Sequence, residues 1–169
     1  MGQWLDIKGP VVADTVYSGG VLVAKDAAFT LPGIEFLTAN VKAMGNLTIP
    51  LIGLLENMEL AITKIGADMG LSCLSKLEKQ ALEFRWVQNV IKSDGSQTNE
   101  GCKAFVRTLP GALPDLGIEV GSNTEAENAY NVTRQQIYVG GIEYMCVDRL
   151  SQILRINGKD YMAEINSLL

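Results

Sequence analysis

Alternating apolar and polar residues are the main pattern in the first half of the chain. Between residues 35 and 43 the odd positions from Leu37 onward are apolar and the even ones polar, which is the period of a half-buried strand. Met58, Leu60 and Ile62 repeat the pattern. We therefore predict two strands that pair antiparallel. The connection between them, residues 45–57, is much longer than an ordinary hairpin loop.

The remaining patterns predict further strands and one helix. The helix is expected over residues 69–80, where Asp68 can cap the N-terminus and leucines at 71, 74 and 77 form an apolar stripe. Strands are expected near residues 16–17, 21–24, 82–86, 102–109, 130–138 and 142–147, with turns at 18–20, 93–96, 140–141 and 157–158. The sum is six to eight strands and one short helix.

The length of 169 residues predicts one domain. Residues 1–14 contain Gly9-Pro10 and no clear period, so we expect an extended N-terminal arm there. Residues 15–169 are then a single β domain, and no internal repeat interrupts it.

Candidate catalytic chemistry is scarce. The chain has no histidine, which excludes Ser-His-Asp triads, Cys-His dyads and His-ligated metals. Cys73, Cys102 and Cys146 are widely spaced, as expected of reduced packing thiols. No glycine-rich phosphate loop or calcium-loop spacing is present, and no two carboxylates stand out as an acid–base pair. We predict no catalytic, cofactor-binding or metal-binding residues, and hence no enzyme.

The charge of the chain argues against binding to phosphates or anionic lipid. Fourteen Lys and Arg against nineteen Asp and Glu give a net charge of −5. Residues 109–132 contain no Lys or Arg at all and form an acidic loop region. The most apolar window, residues 47–55, falls well short of the ~18–20 residues that a membrane span needs. No membrane association is expected.

The connection at residues 45–57 has an unusual composition. Pro50 and Gly53 keep it from being a central strand or a helix. It nevertheless carries six large aliphatic residues, which are Leu47, Ile49, Leu51, Ile52, Leu54 and Leu55. If it were exposed to solvent, such a segment would tend to associate with other apolar surfaces. Two hypotheses follow: the segment folds back over its own sheet, or it docks on another subunit.

An ordered set of segments runs along nearly the whole chain. It consists of Phe29-Thr30-Leu31-Pro32, the strand to Met44-Gly45, the long connection, Met58-Glu59-Leu60, the helix, Leu82-Glu83-Phe84-Arg85-Trp86, and a closing segment from Ile137 to Asn157-Gly158. In this order the set resembles the major tail tube protein of contractile-tailed phages. The resemblance covers roughly residues 15–160.

The resemblance implies a β-sandwich or partly closed barrel with one helix on its flank. It also implies that six copies close into a ring with a continuous inner β-barrel, and that rings stack into a hollow tube. In the family the long hairpin contacts the neighbouring ring, so the six aliphatic residues above become candidates for ring stacking. This segment is more aliphatic than the polar, acidic version expected of the family. Candidates to face the lumen are Glu35, Thr38, Asn40, Glu59 and Thr63.

The function implied by the resemblance is structural. The chain is expected to be the inner tube subunit of a contractile phage tail, or of a phage-tail-like bacteriocin particle (a tailocin), through which DNA passes without specific binding. Implied partners are further copies of itself, the tail sheath protein, and the tape-measure, baseplate and tail-terminator proteins. The expected location is the virion tail, assembled in the host bacterial cytoplasm. The alternative is a monomeric β-barrel that binds a small ligand.

Overall fold

A computed structural model describes residues 6–169, and this part of the chain is mainly β structure. Its strands are β1 (Ile7–Ser18), β2 (Val21–Lys25), β3 (Ala28–Thr30), β4 (Phe36–Lys42), β5 (Asn46–Leu55), β6 (Glu59–Ile65), β7 (Gln80–Ile91), β8 (Gln97–Ala112), β9 (Glu125–Val139), β10 (Ile142–Asp148), β11 (Ile153–Ile156) and β12 (Lys159–Asp160). Its helices are α1 (Met69–Leu74) and α2 (Ala163–Ser167). The predicted mainly β class is confirmed, with twelve strands and two helices in residues 6–169 rather than six to eight strands and one helix.

Ten strands form one antiparallel sheet, eight of them in the order β12-β11-β10-β9-β8-β7-β1-β2, with β6 and β3 attached beside β9. The long strand β9 joins two parts of this sheet, because its first half pairs with β6 and its second half with β10. Strand β3 then pairs with β6. Among the described residues the sheet is not closed into a barrel.

The hydrophobic core lies against the inner faces of the central strands. Phe84 of β7 is fully buried, and the ring of Phe29 lies 4.6 Å from it and 5.9 Å from the ring of Trp86. Leu60 and Ile62, on alternate positions of β6, are also fully buried. The period-two pattern thus places one face of each central strand in the core, as predicted.

The predicted pairing of the two alternating strands is wrong. Strand β4 pairs with β5, which lies within the segment expected to be a loop, and β6 pairs with β3 and β9. From Pro50 and Gly53 we expected neither a central strand nor a helix there, and hence a loop between strands. Since β5 has a partner strand on one side only among the described residues, a proline without an N–H is tolerated there. Gly53, with φ of +110°, lies in an irregular stretch of β5.

Helix α1 is shorter than predicted, because it ends at Leu74. Asp68 caps its N-terminus as expected, since the side chain accepts a hydrogen bond of 3.0 Å from the Leu71 amide. That bond, followed by one from Lys64, holds the pKa of Asp68 below its usual value. Leu77, predicted to continue the apolar stripe, is 72% exposed.

The described part of the expected N-terminal arm is extended and packs on the domain. Residues Ile7–Ser18 form β1, which pairs along its length with β7 and at its end with β2. Residues 1–5 of the predicted arm lie outside the described part of the chain.

Candidate assembly surface

The β4–β5 hairpin is a two-stranded ribbon with one apolar face. Val41 lies opposite Leu47, and Ala39 lies opposite Ile49, so that these four side chains share a face. Leu37 has the same parity on β4. We call these five residues the apolar hairpin face. Leu37, Val41, Leu47 and Ile49 are 39%, 45%, 48% and 37% exposed, so the face has little cover from its own chain.

The opposite face of the same ribbon is polar. It is formed by Thr38, Asn40, Lys42, Asn46 and Thr48, and we call it the polar hairpin face. The Thr48 hydroxyl donates a 3.1 Å hydrogen bond to Oδ1 of Asn40 directly across the ribbon. The hairpin is therefore amphipathic although it forms no part of the large sheet.

The tip of the hairpin is a tight turn. The Ala43 amide donates a 2.9 Å hydrogen bond to the Gly45 carbonyl, and both Met44 and Gly45 have positive φ. Glycine meets no strain in this conformation. The Met44 side chain is fully exposed at the end of the ribbon, which adds an apolar group to the projecting tip.

Hydrogen bonds from distant parts of the chain hold the base of the hairpin. The Glu56 amide donates to the Glu35 carbonyl at 2.8 Å. The Arg149 guanidinium donates to the carbonyls of Leu55 and Glu56 at 3.0 and 3.2 Å. A planar guanidinium suits two adjacent acceptors, so Arg149 fixes the direction in which the ribbon leaves the domain.

The C-terminal helix packs on the irregular stretch of β5. A Cβ on Gly53 would lie 3.0 Å from Sδ of Met162 and 3.3 Å from Cδ1 of Ile165, so the approach is close, and the φ of +110° at this position favours glycine. A cleft of about 550 Å³ lies between this stretch and α2, and its lining includes Ile52 and Leu54. The base of the hairpin is thus held by contacts, while Met44 at its tip is fully exposed.

The six candidate aliphatic residues do not share one environment. Leu47 and Ile49 lie on the apolar hairpin face, and Ile52 and Leu54 are exposed near its base. Leu51 and Leu55 are half-buried, and Leu55 packs against the core. Sequence reasoning did not assign Leu37 and Val41 to this surface, although their alternation on β4 was the signal for it.

The five candidate lumen residues are divided between two sheets. Thr38 and Asn40 lie on the polar hairpin face, and Glu35 is exposed just before β4. Glu59 and Thr63 lie on β6 of the large sheet, opposite Asn131 and Glu127 of β9. The structure of a single chain does not bring these five side chains together.

The described residues offer no centre for metal chemistry. Within residues 6–169, no three His, Cys, Asp or Glu side chains are grouped to hold a metal ion. The cysteines are unpaired, and burial raises the pKa of the Cys102 thiol, which keeps it protonated. None of the helices in the same range is long and apolar enough to cross a membrane.

The molecule is thus a mainly β protein whose β4–β5 hairpin is amphipathic. The profile of the family described as phage tail tube protein FII matches residues 12–169, and the chain belongs to this family. Among solved structures it is similar to a chain in the cryo-EM structure of an extracellular contractile injection system, the PVC sheath–tube complex in its extended state. The TM-score is 0.52 at 14% identity, covering 77% of this chain and 90% of that one. No curated protein matches the sequence.

Family membership confirms the resemblance found in the sequence. The chain is a structural subunit of a phage tail tube and a component of a tail or tail-like particle. The expectation that it is not an enzyme is confirmed, because the family is structural.

Proposed function

We propose that six copies of the chain close into a ring, and that rings stack into the hollow inner tube of a contractile tail through which DNA passes. The observation that carries the proposal is the apolar hairpin face, which has little cover from its own chain. A patch of this kind on a structural subunit is an interaction surface.

The energetics of the hairpin favour many simultaneous contacts. Covering the four half-exposed aliphatic side chains of the apolar hairpin face would contribute roughly 1 kcal/mol each. One such contact is weak once the cost of association is included. A ring that makes several of these contacts at once gains from effective concentration. The hairpin with the nearby Leu51, Ile52, Leu54 and Leu55 is therefore our candidate for contact between rings.

The free edges of the hairpin support closure into a common barrel. Both β4 and β5 have an unpaired edge among the described residues, and such edges are templates for pairing with another chain. Pairing with the large sheet of a neighbouring copy would satisfy these groups. It would also place the polar hairpin face beside β6 of another copy, which would bring Thr38 and Asn40 together with Glu35, Glu59 and Thr63 at the lumen.

The charge of the assembled tube suits a conduit. Each copy carries a net charge of −5, so a ring repels phosphates instead of retaining them. The alternative of a monomeric ligand-binding barrel loses support, because the sheet is not closed.

The proposed partners follow from the resemblance and from the similar solved chain. That chain was determined in a complex of sheath and tube, and we propose a tail sheath protein around this tube as well. The tape-measure, baseplate and tail-terminator proteins, and assembly in the host bacterial cytoplasm, are proposed from the family resemblance.

The test is a pair of variants on opposite faces of the ribbon. Val41→Asp with Leu47→Asp places two charges on the apolar hairpin face, and burying them in a contact would cost several kcal/mol. Asn40→Asp with Thr48→Asp is the matched control, because it places the same charge on the polar face. Sedimentation velocity and negative-stain microscopy of the full chain measure assembly. We expect rings and tubes from the wild type and the control, and monomers from the apolar-face variant.

Circular dichroism must show the same β content in all three proteins. Normal polymerisation of the apolar-face variant would disprove the role of the hairpin. A wild-type chain that remains monomeric near 18 kDa at high concentration would disprove the tube itself.

A further inference from the structure

The loop between β8 and β9 is a second uncovered apolar segment. Residues 113–124, which we call the β8–β9 loop, contain four large aliphatic residues. Leu113, Leu116, Ile118 and Val120 are 54%, 50%, 86% and 103% exposed. Asp115 and Glu119 lie among them, and the loop has no Lys or Arg. A surface that is both apolar and acidic is complementary to a surface that is apolar and basic.

The lower part of this loop is fixed on its own domain. Leu113 and Leu116 line a cleft with Met69 and Leu71 of α1, and the Thr124 carbonyl accepts a 2.8 Å hydrogen bond from the Gly66 amide. Ile118 and Val120, between these anchors, have the highest exposure in the loop. The loop therefore presents its outer part to solvent from a defined position.

A group of cations gives part of the outer face of the large sheet the opposite charge, and Glu83, directly opposite Phe105, is the acidic residue among them. On it Arg85 lies directly opposite Lys103, and Arg107 lies directly opposite Arg134. Like charges directly opposite one another destabilise a sheet. Together with Phe105, these four residues form what we call the basic sheet face. Two like-charge pairs around one aromatic residue point to an acidic ligand.

Two of these cations have no carboxylate partner in the described part of the chain. Arg85 forms an ion pair with Glu83 at 2.7 Å, and Arg134 with Asp148 at 3.5 Å. Neither Lys103 nor Arg107 has an Asp or Glu oxygen within 4.0 Å among residues 6–169.

Phe105 gives the basic sheet face an apolar centre. It is 37% exposed, and its ring lies nearly perpendicular to that of Tyr138 at a centroid distance of 6.0 Å. The face thus combines unpaired positive charge with apolar area, which matches the composition of the β8–β9 loop.

We propose that the β8–β9 loop of one copy docks on the basic sheet face of a neighbouring copy. Asp115 and Glu119 pair with Lys103 and Arg107, and Ile118 and Val120 cover Phe105. Because the two surfaces differ, the contact is head-to-tail and joins copies into a ring or a filament. The proposal rests on the self-assembly proposed above and assigns to it a contact separate from the hairpin.

A nucleic acid is the competing occupant of the basic sheet face. Its phosphates would match Lys103 and Arg107. It would leave the aliphatic residues of the β8–β9 loop uncovered, however, and the chain as a whole repels phosphates. The observations therefore favour the loop of a second copy.

The contact is tested by reversing charges on the β8–β9 loop, on the basic sheet face, and on both surfaces together. The loop variant is Asp115→Lys with Glu119→Lys, and the face variant is Lys103→Glu with Arg107→Glu. The fourfold variant combines all four changes and restores opposite charges across the contact. Sedimentation velocity on the full chain gives the concentration of half-maximal assembly. We expect each double variant to raise it by about tenfold or more, and the fourfold variant to return it to within about threefold of the wild type.

A second set of variants controls for misfolding caused by the charge reversals. Asp115→Asn with Glu119→Gln, and Lys103→Gln with Arg107→Gln, remove charge without reversing it, and both should weaken assembly less than the reversals do. A fourfold variant as impaired as the double variants, with unchanged circular dichroism, would overturn the docking.

The remaining outcomes separate this inference from the tube itself. Double variants that assemble like the wild type would refute the docking and leave the proposed tube intact, whereas a wild type that fails to assemble refutes both. A face variant that assembles normally but no longer retains a duplex DNA oligomer retained by the wild type would identify the face as a nucleic-acid surface instead.

Discussion

At the end of α1, the Tyr130 hydroxyl donates a hydrogen bond to the Leu74 carbonyl, which also accepts from Nε2 of Gln80 at 3.2 Å. These bonds satisfy a carbonyl that the helix leaves free when it ends early. Tyr130 is almost completely buried, and burial raises its pKa to about 12. No local sequence pattern indicates this contact, because Tyr130 and Leu74 meet only once β9 has paired with β6.

Tyr130→Phe should lower the free energy of unfolding by about 1 kcal/mol at neutral pH, since Leu74 keeps one of its two donors. In the unfolded chain Tyr130 loses its proton near its ordinary pKa of 10, whereas in the folded chain it keeps the proton until about 12. Its contribution is therefore complete below pH 10 and is lost as the pH rises from 10 to 12. Urea unfolding of both proteins measures the difference, which should fall by about 1 kcal/mol at pH 11.

Tyr144→Phe is the matched control for this measurement, because the Tyr144 side chain is 58% exposed. It should leave the stability nearly unchanged. If the difference in free energy of unfolding between Tyr130→Phe and the wild type stayed constant from pH 8 to 11, the conclusion that Tyr130 is buried as a neutral phenol would be refuted.

At the scale of elements, the direction of the hairpin depends on Arg149. Arg149→Lys keeps the charge but cannot bind two adjacent carbonyls with one planar group. The amide of Glu56, bonded to the Glu35 carbonyl at the base of the hairpin, should then exchange with solvent roughly tenfold faster. Hydrogen exchange followed by mass spectrometry checks this, with peptides from β7 and β8 as the internal reference. Equal acceleration in β7 would mean global destabilisation and not a loosened hairpin.

The elements that sequence predicted well are those defined by neighbouring residues. The alternation at residues 35–43 and the turns at 93–96 and 140–141 lie where expected, because strand period and turn chemistry are local. The choice of partner strand is not local, and so the pairing of β4 was assigned wrongly. The basic sheet face was missed for the same reason, since Arg107 and Arg134 become neighbours only through the register of β8 and β9.

At the scale of the whole molecule, charge is distributed unevenly. The chain is acidic in sum, yet the outer face of its main sheet is basic and the β8–β9 loop is acidic and apolar. The net charge of the sequence predicts that the chain repels DNA. It does not reveal that basic and acidic residues occupy different surfaces of the molecule. A molecule with complementary surfaces at different places is suited to head-to-tail assembly.

Assembly should also change how much apolar surface the molecule presents. The isolated chain exposes the apolar hairpin face and the β8–β9 loop, so at low concentration it should bind a hydrophobic dye such as ANS. If both surfaces close in the assembly, dye fluorescence per chain should fall as sedimentation shows rings forming. Ile118→Ser with Val120→Ser removes the two most exposed aliphatic side chains of the loop and so distinguishes dye bound at the loop from dye bound at the hairpin. In monomers this variant should bind less dye than the wild type, and in assemblies that cover the loop the difference should vanish. A difference that persists after assembly would mean that the hairpin is covered while the loop remains open to solvent, because only an exposed loop can still bind the dye.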